Sequence, residues 1–156
     1  MIISFNRFAL AAATAAAAIS TPAFAGSCPE GQEVANALKG APTAPKDVTD
    51  DIIGSVDLQK EMKINGHDLR MRRLVVQPGG IVPLHSHAGR PALIITVTGE
   101  MVEHRSSCAV PIIHKAGEVS MESDGISHWW QNEGSVPAML LSADRSEEHT
   151  SELQSH

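Results

Sequence analysis

The chain has 156 residues, a formal net charge of −6 and eight histidines, with 42% hydrophobic residues but only 3% aromatic ones. An acidic balance of this kind argues against nucleic acid or an anionic membrane as partner. The length suits one compact domain once the two ends are set aside.

The first of those ends, "MIISFNRFALAAATAAAAISTPAFAGS", carries Arg7, an Ala-rich apolar stretch and Ala23-Phe24-Ala25. These are the three regions of a signal peptide in order, so residues 1–25 are expected to be removed after Ala25. The alternative, an Ala-rich membrane helix, is disfavoured because the apolar core is short and Ser20 and Pro22 interrupt it. No twin arginine precedes the core, so Sec export to the periplasm or the exterior is expected, with no membrane attachment after cleavage.

Residues 26–47 are rich in Pro, Gly and Ala, and residues 26–51 read as an N-terminal arm with one short helical turn at 32–38. Cys28 lies in this arm and Cys108 in the domain body. In an exported chain the pair reads first as a disulfide; free thiols and a lipid anchor at Cys28 remain open.

From Ile52 to Asp144, strand-length apolar runs alternate with turn signals, and helical periodicity is absent. "EMKI-NG-HDLRMRRLVV" predicts a two-residue hairpin turn at Asn65-Gly66. "PGG" (78–80) ends the second run, and a further hairpin turns near Gly99. "VPIIHKAG", "EVSMES" and "SHWWQN-EGS-VPAMLLS" complete the series. The expected fold is all-β, a sandwich or a barrel of antiparallel sheets. The last residues, 145–156, "RSEEHTSELQSH", are polar and without period. They resemble the forward-frame translation of a DNA sequencing adapter and are expected to be a non-native tail.

His85 and His87 in "PLHSHAGRPALIITVTGE" are one residue apart, so in a strand both imidazoles point to one face. Two such nitrogens suit a divalent transition metal, Fe, Mn, Zn, Ni or Cu, without selecting among them. His128 supplies a third.

The spacing carries a resemblance. Gly79-x5-His85-x-His87 with Gly99 resembles the first motif of the cupin superfamily. Gly117-x5-Ser123-x-Gly125-x2-His128-x3-Asn132 resembles its second. The resemblance covers about residues 69–142 and implies the cupin-type, jelly-roll β-barrel with a metal held by His85, His87 and His128. The first motif usually has a glutamate ligand where this chain has Ala92, so the site is expected to lack a carboxylate and to leave a coordination position open. Ser123 replaces the usual proline.

Parity assigns neighbours. If His128 points inward, so does Trp130, either as a wall over the metal or as ordinary core, while Trp129 faces outward. If Ala92 faces inward, Ile94 and Thr96 follow. Arg72 and Arg73 lie on opposite faces, on a rim or with one entering the barrel. Glu103, His104 and one arginine are the candidate acids or bases, although no catalytic residue is fixed. His67 and His114 read as surface residues. The expected activity is that of an exported metalloprotein acting on a small polar or anionic molecule, dioxygenase- or isomerase-like, with a non-catalytic ligand- or metal-binding module as the alternative. A homodimer is left open.

Overall fold

The computed structural model describes residues 26–146. The expected signal peptide, residues 1–25, and residues 147–156 of the tail lie outside the described residues.

Eight strands and one short helix follow in order: β1 (Lys46–Asp57), α1 (Leu58–Met62), β2 (Asp68–Ser86), β3 (Ala92–Thr98), β4 (Glu100–Arg105), β5 (Ile112–Lys115), β6 (Val119–Glu122), β7 (Ser127–Gln131) and β8 (Ala138–Arg145). The strand path runs β5-β4-β7-β2-β8-β3-β6, with β1 added beside β2, and its ladders are antiparallel. Two facing sheets result, rolled into a nearly closed barrel. The all-β expectation holds.

The long strand β2 belongs to both sheets. Residues 69–76 pair with β1 and β8, and residues 81–86 with β7. The change of sheet occurs at Pro78-Gly79-Gly80. Gly79 has φ +74°, and a Cβ on Gly80 would stand 2.8 Å from the carbonyl oxygens of Asp47 and Gln77. Only glycine fits so close a backbone approach. This bend carries His85 and His87 over to face β7.

Several local expectations fail, and Pro78-Gly79-Gly80 bends β2 without ending it. The link between β1 and β2 is not a two-residue hairpin, because α1 intervenes. Asp57 caps that helix by accepting from the Lys60 N–H at 3.1 Å, and Lys63 closes it in the left-handed region at φ 62°. Those caps satisfy the end groups of a one-turn helix, and Asn65-Gly66 only turns the chain afterwards. The helical turn expected at 32–38 is also absent. There the arm runs extended beside residues 106–109, with a bridge at Glu33 and Cys108 and bonds from Val34 and Ala37 N–H groups. The Cys28–Cys108 disulfide pins it, which fits an oxidising compartment. The regular strand pairing starts at Lys46, within the stretch expected as arm.

Inside the barrel the register sorts side chains by polarity. Leu74, Val76, Val82, Ile94, Met101, Trp130, Ala138 and Leu140 form the apolar core. Each buried Leu, Val, Ile or Met among them contributes about 1.5–3 kcal/mol. Toward the other end, the inward positions are His85, His128, Glu122 and Asp144, the last clasped by Arg70 at 2.9 Å. On β3 and β6 the usual pattern is inverted. Leu93, Ile95, Val119 and Met121 face out, whereas Thr96, Ser120 and Glu122 are buried. The interior of this end is therefore polar and charged.

Candidate metal centre

His85 and His128 lie directly opposite each other across the β2–β7 ladder. His87 follows two residues later, and Glu122 ends β6. One donor atom from each of these four residues lies within 4.8 Å of all the others. Three of the four are fully or almost fully buried; His85 is half-buried.

The far side of each ring decides what the near side can do. His85 Nδ1 stands 2.8 Å from the Pro83 carbonyl oxygen, and His87 Nδ1 stands 2.8 Å from that of Arg90. Those oxygens only accept, so each Nδ1–H donates and each Nε2 presents a lone pair. At His128, Nδ1 lies 2.5 Å from Glu103 Oε1 and 3.1 Å from the Trp130 indole nitrogen. Both partners cannot be served, since one accepts and the other donates. The carboxylate is closer and ionised, so Nδ1–H donates to it and the indole contact is only a close approach.

Three Nε2 atoms and one carboxylate oxygen therefore converge, and all three nitrogens present lone pairs once His128 gives up its proton. His85 Nε2 is 3.1 Å from those of His87 and His128. Glu122 Oε2 is 2.8 Å from His87 Nε2 and 3.3 Å from His128 Nε2. Neither Glu122 oxygen makes a hydrogen bond of proper geometry among the described residues, although the side chain is fully buried. A buried carboxylate without hydrogen bonds is costly unless a cation faces it. Donors held about 2.1 Å from one ion at right angles are about 3.0 Å apart, which these edges match. The residues present fit a divalent metal.

Proton affinities agree with a site that demands positive charge. Burial, and then the charge of His128, press His85 down to about 3. Burial opposes protonation of His128 too, but its bond to Glu103 and the nearby charge of Glu122 outweigh this and raise it to about 9. Burial would raise Glu122, yet the facing His128 and His87 bring it down to about 2.

The structure thus brings His85, His87 and His128 together as the spacing suggested. The expectation of a site without a carboxylate is overturned: Glu122 supplies one. Ala92 does face inward, but it pairs directly with Glu122 on the neighbouring strand, so the acid reaches the same space from β6. Its signal was the alternation of "VSME", which puts Glu122 on the inward face with Ser120.

Parity holds elsewhere. Trp130 is buried in the core and Trp129 lies on the other surface, stacked on His104 at 3.9 Å. Arg72 turns inward to Asp50 and Asp144, while Arg73 is exposed with Asp51. Glu103 is fully buried behind His128, whereas His104 faces away from the centre. The reading of His114 as a surface residue is wrong. It is fully buried, because β5 directs it inward against the Trp130 ring at 4.4 Å. His67 is partly buried, with Nδ1 2.6 Å from the Ser146 carbonyl.

The family model described as a cupin domain matches residues 72–144, which contain every donor of this centre. Residues 72–144 carry a cupin domain. An oxalate-binding protein of Thermotoga maritima is 36% identical over 69 residues, 44% of this chain and 55% of that protein. An auxin-binding protein of Prunus persica is 29% identical over 81 residues, 50% of this chain and 39% of that protein. The chain thus spans only about two-fifths of the length of the latter. Among solved structures, a Thermotoga maritima protein described as a predicted oxalate decarboxylase shares 27% identity, with a TM-score of 0.51 over 62% of this chain and 78% of its own. In this cupin the acid usual in the first motif is replaced by one that the barrel, rather than the motif, places at the site.

Proposed function

We propose that this cupin is an exported metalloprotein holding one divalent transition metal through His85, His87, His128 and Glu122, and that it binds a small anionic molecule there. The observation that carries the reading is the convergence of three imidazole nitrogens on a buried carboxylate oxygen, each ring turned by an acceptor behind it. The bound ion would supply positive charge and Lewis acidity for a chelating ligand. The disulfide, together with the expected signal peptide, supports export.

The donor count leaves room for a ligand, since a six-coordinate ion with four protein donors keeps two positions. The relative named for oxalate binding supports a small carboxylate as ligand class. Turnover of a dioxygenase or isomerase kind remains the enzyme version. One observation favours the non-catalytic version: each side chain expected as acid or base is committed elsewhere. Glu103 is bonded to His128, Arg105 and His114, His104 is stacked outward, and Arg72 is tied to Asp50.

Metal analysis of the protein expressed with export, followed by oxalate titration of the metal-loaded form, tests the reading. One equivalent of metal and metal-dependent oxalate binding support it. No metal after reconstitution with Zn, Mn, Fe, Ni or Cu overturns it. Consumption of oxalate or of a related acid would decide for the enzyme version.

A further inference from the structure

Behind the donors, the centre leans on one buried carboxylate that no part of the metal reading requires. Glu103 has no exposed surface. Its Oε1 takes His128 Nδ1–H at 2.5 Å and Arg105 Nε–H at 2.9 Å. Its Oε2 takes a second Arg105 N–H at 2.9 Å and His114 Nε2 at 2.9 Å. Four donors on two oxygens use the full accepting capacity of a carboxylate.

Strand register builds this arrangement. Glu103 lies opposite Trp130 and Arg105 opposite His128, so both point into the barrel beside β7. Arg105 also donates to Ser120 Oγ at 2.7 Å. Ser120 is two residues from Glu122 on β6, so one guanidinium ties the strand bearing the carboxylate donor to the glutamate behind the histidine donor. His114 and Trp130 close the remaining side.

An ordinary core ion pair of Arg105 and Glu103 would not need the shortest contact to fall on His128. Here it does, and it lies on the ring nitrogen away from the metal space. A carboxylate in that place fixes the tautomer and plane of a metal-binding imidazole and strengthens it as a donor. We propose that Glu103 is the positioning residue of the centre, orienting His128 Nε2 toward the ion, with Arg105 and His114 holding Glu103 in place. The inference rests on the metal reading above and adds a residue that never touches the ion.

The test compares the parental chain with Glu103→Gln and Asp144→Asn. The second variant removes an equally buried carboxylate that pairs with Arg70, Arg72 and Arg90 and bonds to no histidine. Zinc affinity is measured by chelator competition, and the Co(II) form is followed by its visible absorption. Glu103→Gln is expected to lose about 10–100-fold in affinity and to shift the Co(II) bands, the scale seen when such supporting carboxylates are removed. Asp144→Asn is expected to stay within about threefold of the parental affinity, with unchanged bands, because no donor loses its support. Parental behaviour of Glu103→Gln, or an equal loss in Asp144→Asn, overturns the proposal.

If Glu103→Gln does not fold, Glu103→Asp serves, since it keeps the charge but draws the oxygens back from His128. Parental affinity and bands in that variant also overturn it. Failure of the metal reading is seen separately, as a parental protein that binds no metal. The inference is then decided on the metal-free protein by 15N spectra of the histidine rings, recorded above the pKa of His128. An Nδ1–H tautomer at His128 that is lost in the variant upholds Glu103 as its orienting group; an Nε2–H tautomer in the parental protein refutes it.

Discussion

Ala92 and Glu122 are directly opposed across the β3–β6 ladder, and both are buried. Opposed residues of an antiparallel pair have their Cβ atoms about 5 Å apart, so a carboxylate on either can reach the same ion. Glu122→Gln should therefore weaken metal binding by at least about tenfold, through loss of the one anionic donor. The exchange Ala92→Glu with Glu122→Ala should recover one equivalent of metal. Ala92→Glu alone should instead destabilise the metal-free protein, because Asp144 is the other neighbour of Ala92 and a further buried charge costs about 3–5 kcal/mol when uncompensated. Metal stoichiometry and urea midpoints of the three variants check this, and an exchange variant that binds no metal would refute the shared position.

The three donor histidines should act as one unit. His85→Ala, His87→Ala and His128→Ala are each expected to abolish stoichiometric metal, whereas His67→Ala keeps it. His114→Ala should still bind metal but lose about 1–3 kcal/mol of stability, because Glu103 is left with one buried donor fewer. Metal analysis beside thermal unfolding separates the two effects.

How far the site was legible depends on which distance is used. His85, His87 and His128 were visible because strand alternation and motif spacing run along the chain. Glu122 was not, because it was sought a fixed number of residues after His87, whereas the ladder places it by register across β3. His114 was misread for a related reason. The short strand β5 turns Ile113 to solvent and His114 to the core, the reverse of what hydrophobicity suggests. That the fold is all-β followed from alternation and glycine turns, and the barrel from the spacing of the two motifs. The capped helix after Asp57 was hidden by the stronger signal of Asn65-Gly66, a turn that a hairpin and a helix exit can both use.

The disulfide should matter to stability more than to the site. Cys28 and Cys108 are 80 residues apart in sequence, and neither belongs to the donor set. Closing so long a loop restricts the unfolded chain, and its removal costs about 2–5 kcal/mol. The double variant Cys28→Ser, Cys108→Ser is expected to unfold at lower urea while binding one equivalent of metal with unchanged affinity. A parental urea midpoint would show that the bridge does not form in solution.

Acidity provides the last test, made on metal-free protein. Glu122 is lowered to about 2, and Glu103 lies well below the ordinary carboxylate range despite its burial, held there by His114 and His128. Carboxylates of depressed pKa contribute stability that is present above about 4.3 and lost as the pH falls through their folded values. His85, pressed to about 3 by burial, acts in the same direction: below about 6.5 the unfolded chain takes up a proton that the folded one refuses. His128 acts oppositely. Raised to about 9, it contributes stability that is full below about 6.5 and lost as the pH climbs through 9. The stability of the metal-free protein should therefore peak near neutral pH and fall on both sides. Metal must displace the proton of His128, so binding should strengthen by up to about tenfold per pH unit between 7 and 9 and release protons to the buffer. Urea midpoints across pH and calorimetry in buffers of different ionisation enthalpy measure both effects. Metal affinity that does not rise between pH 7 and 9 would show that His128 carries no proton for the metal to displace.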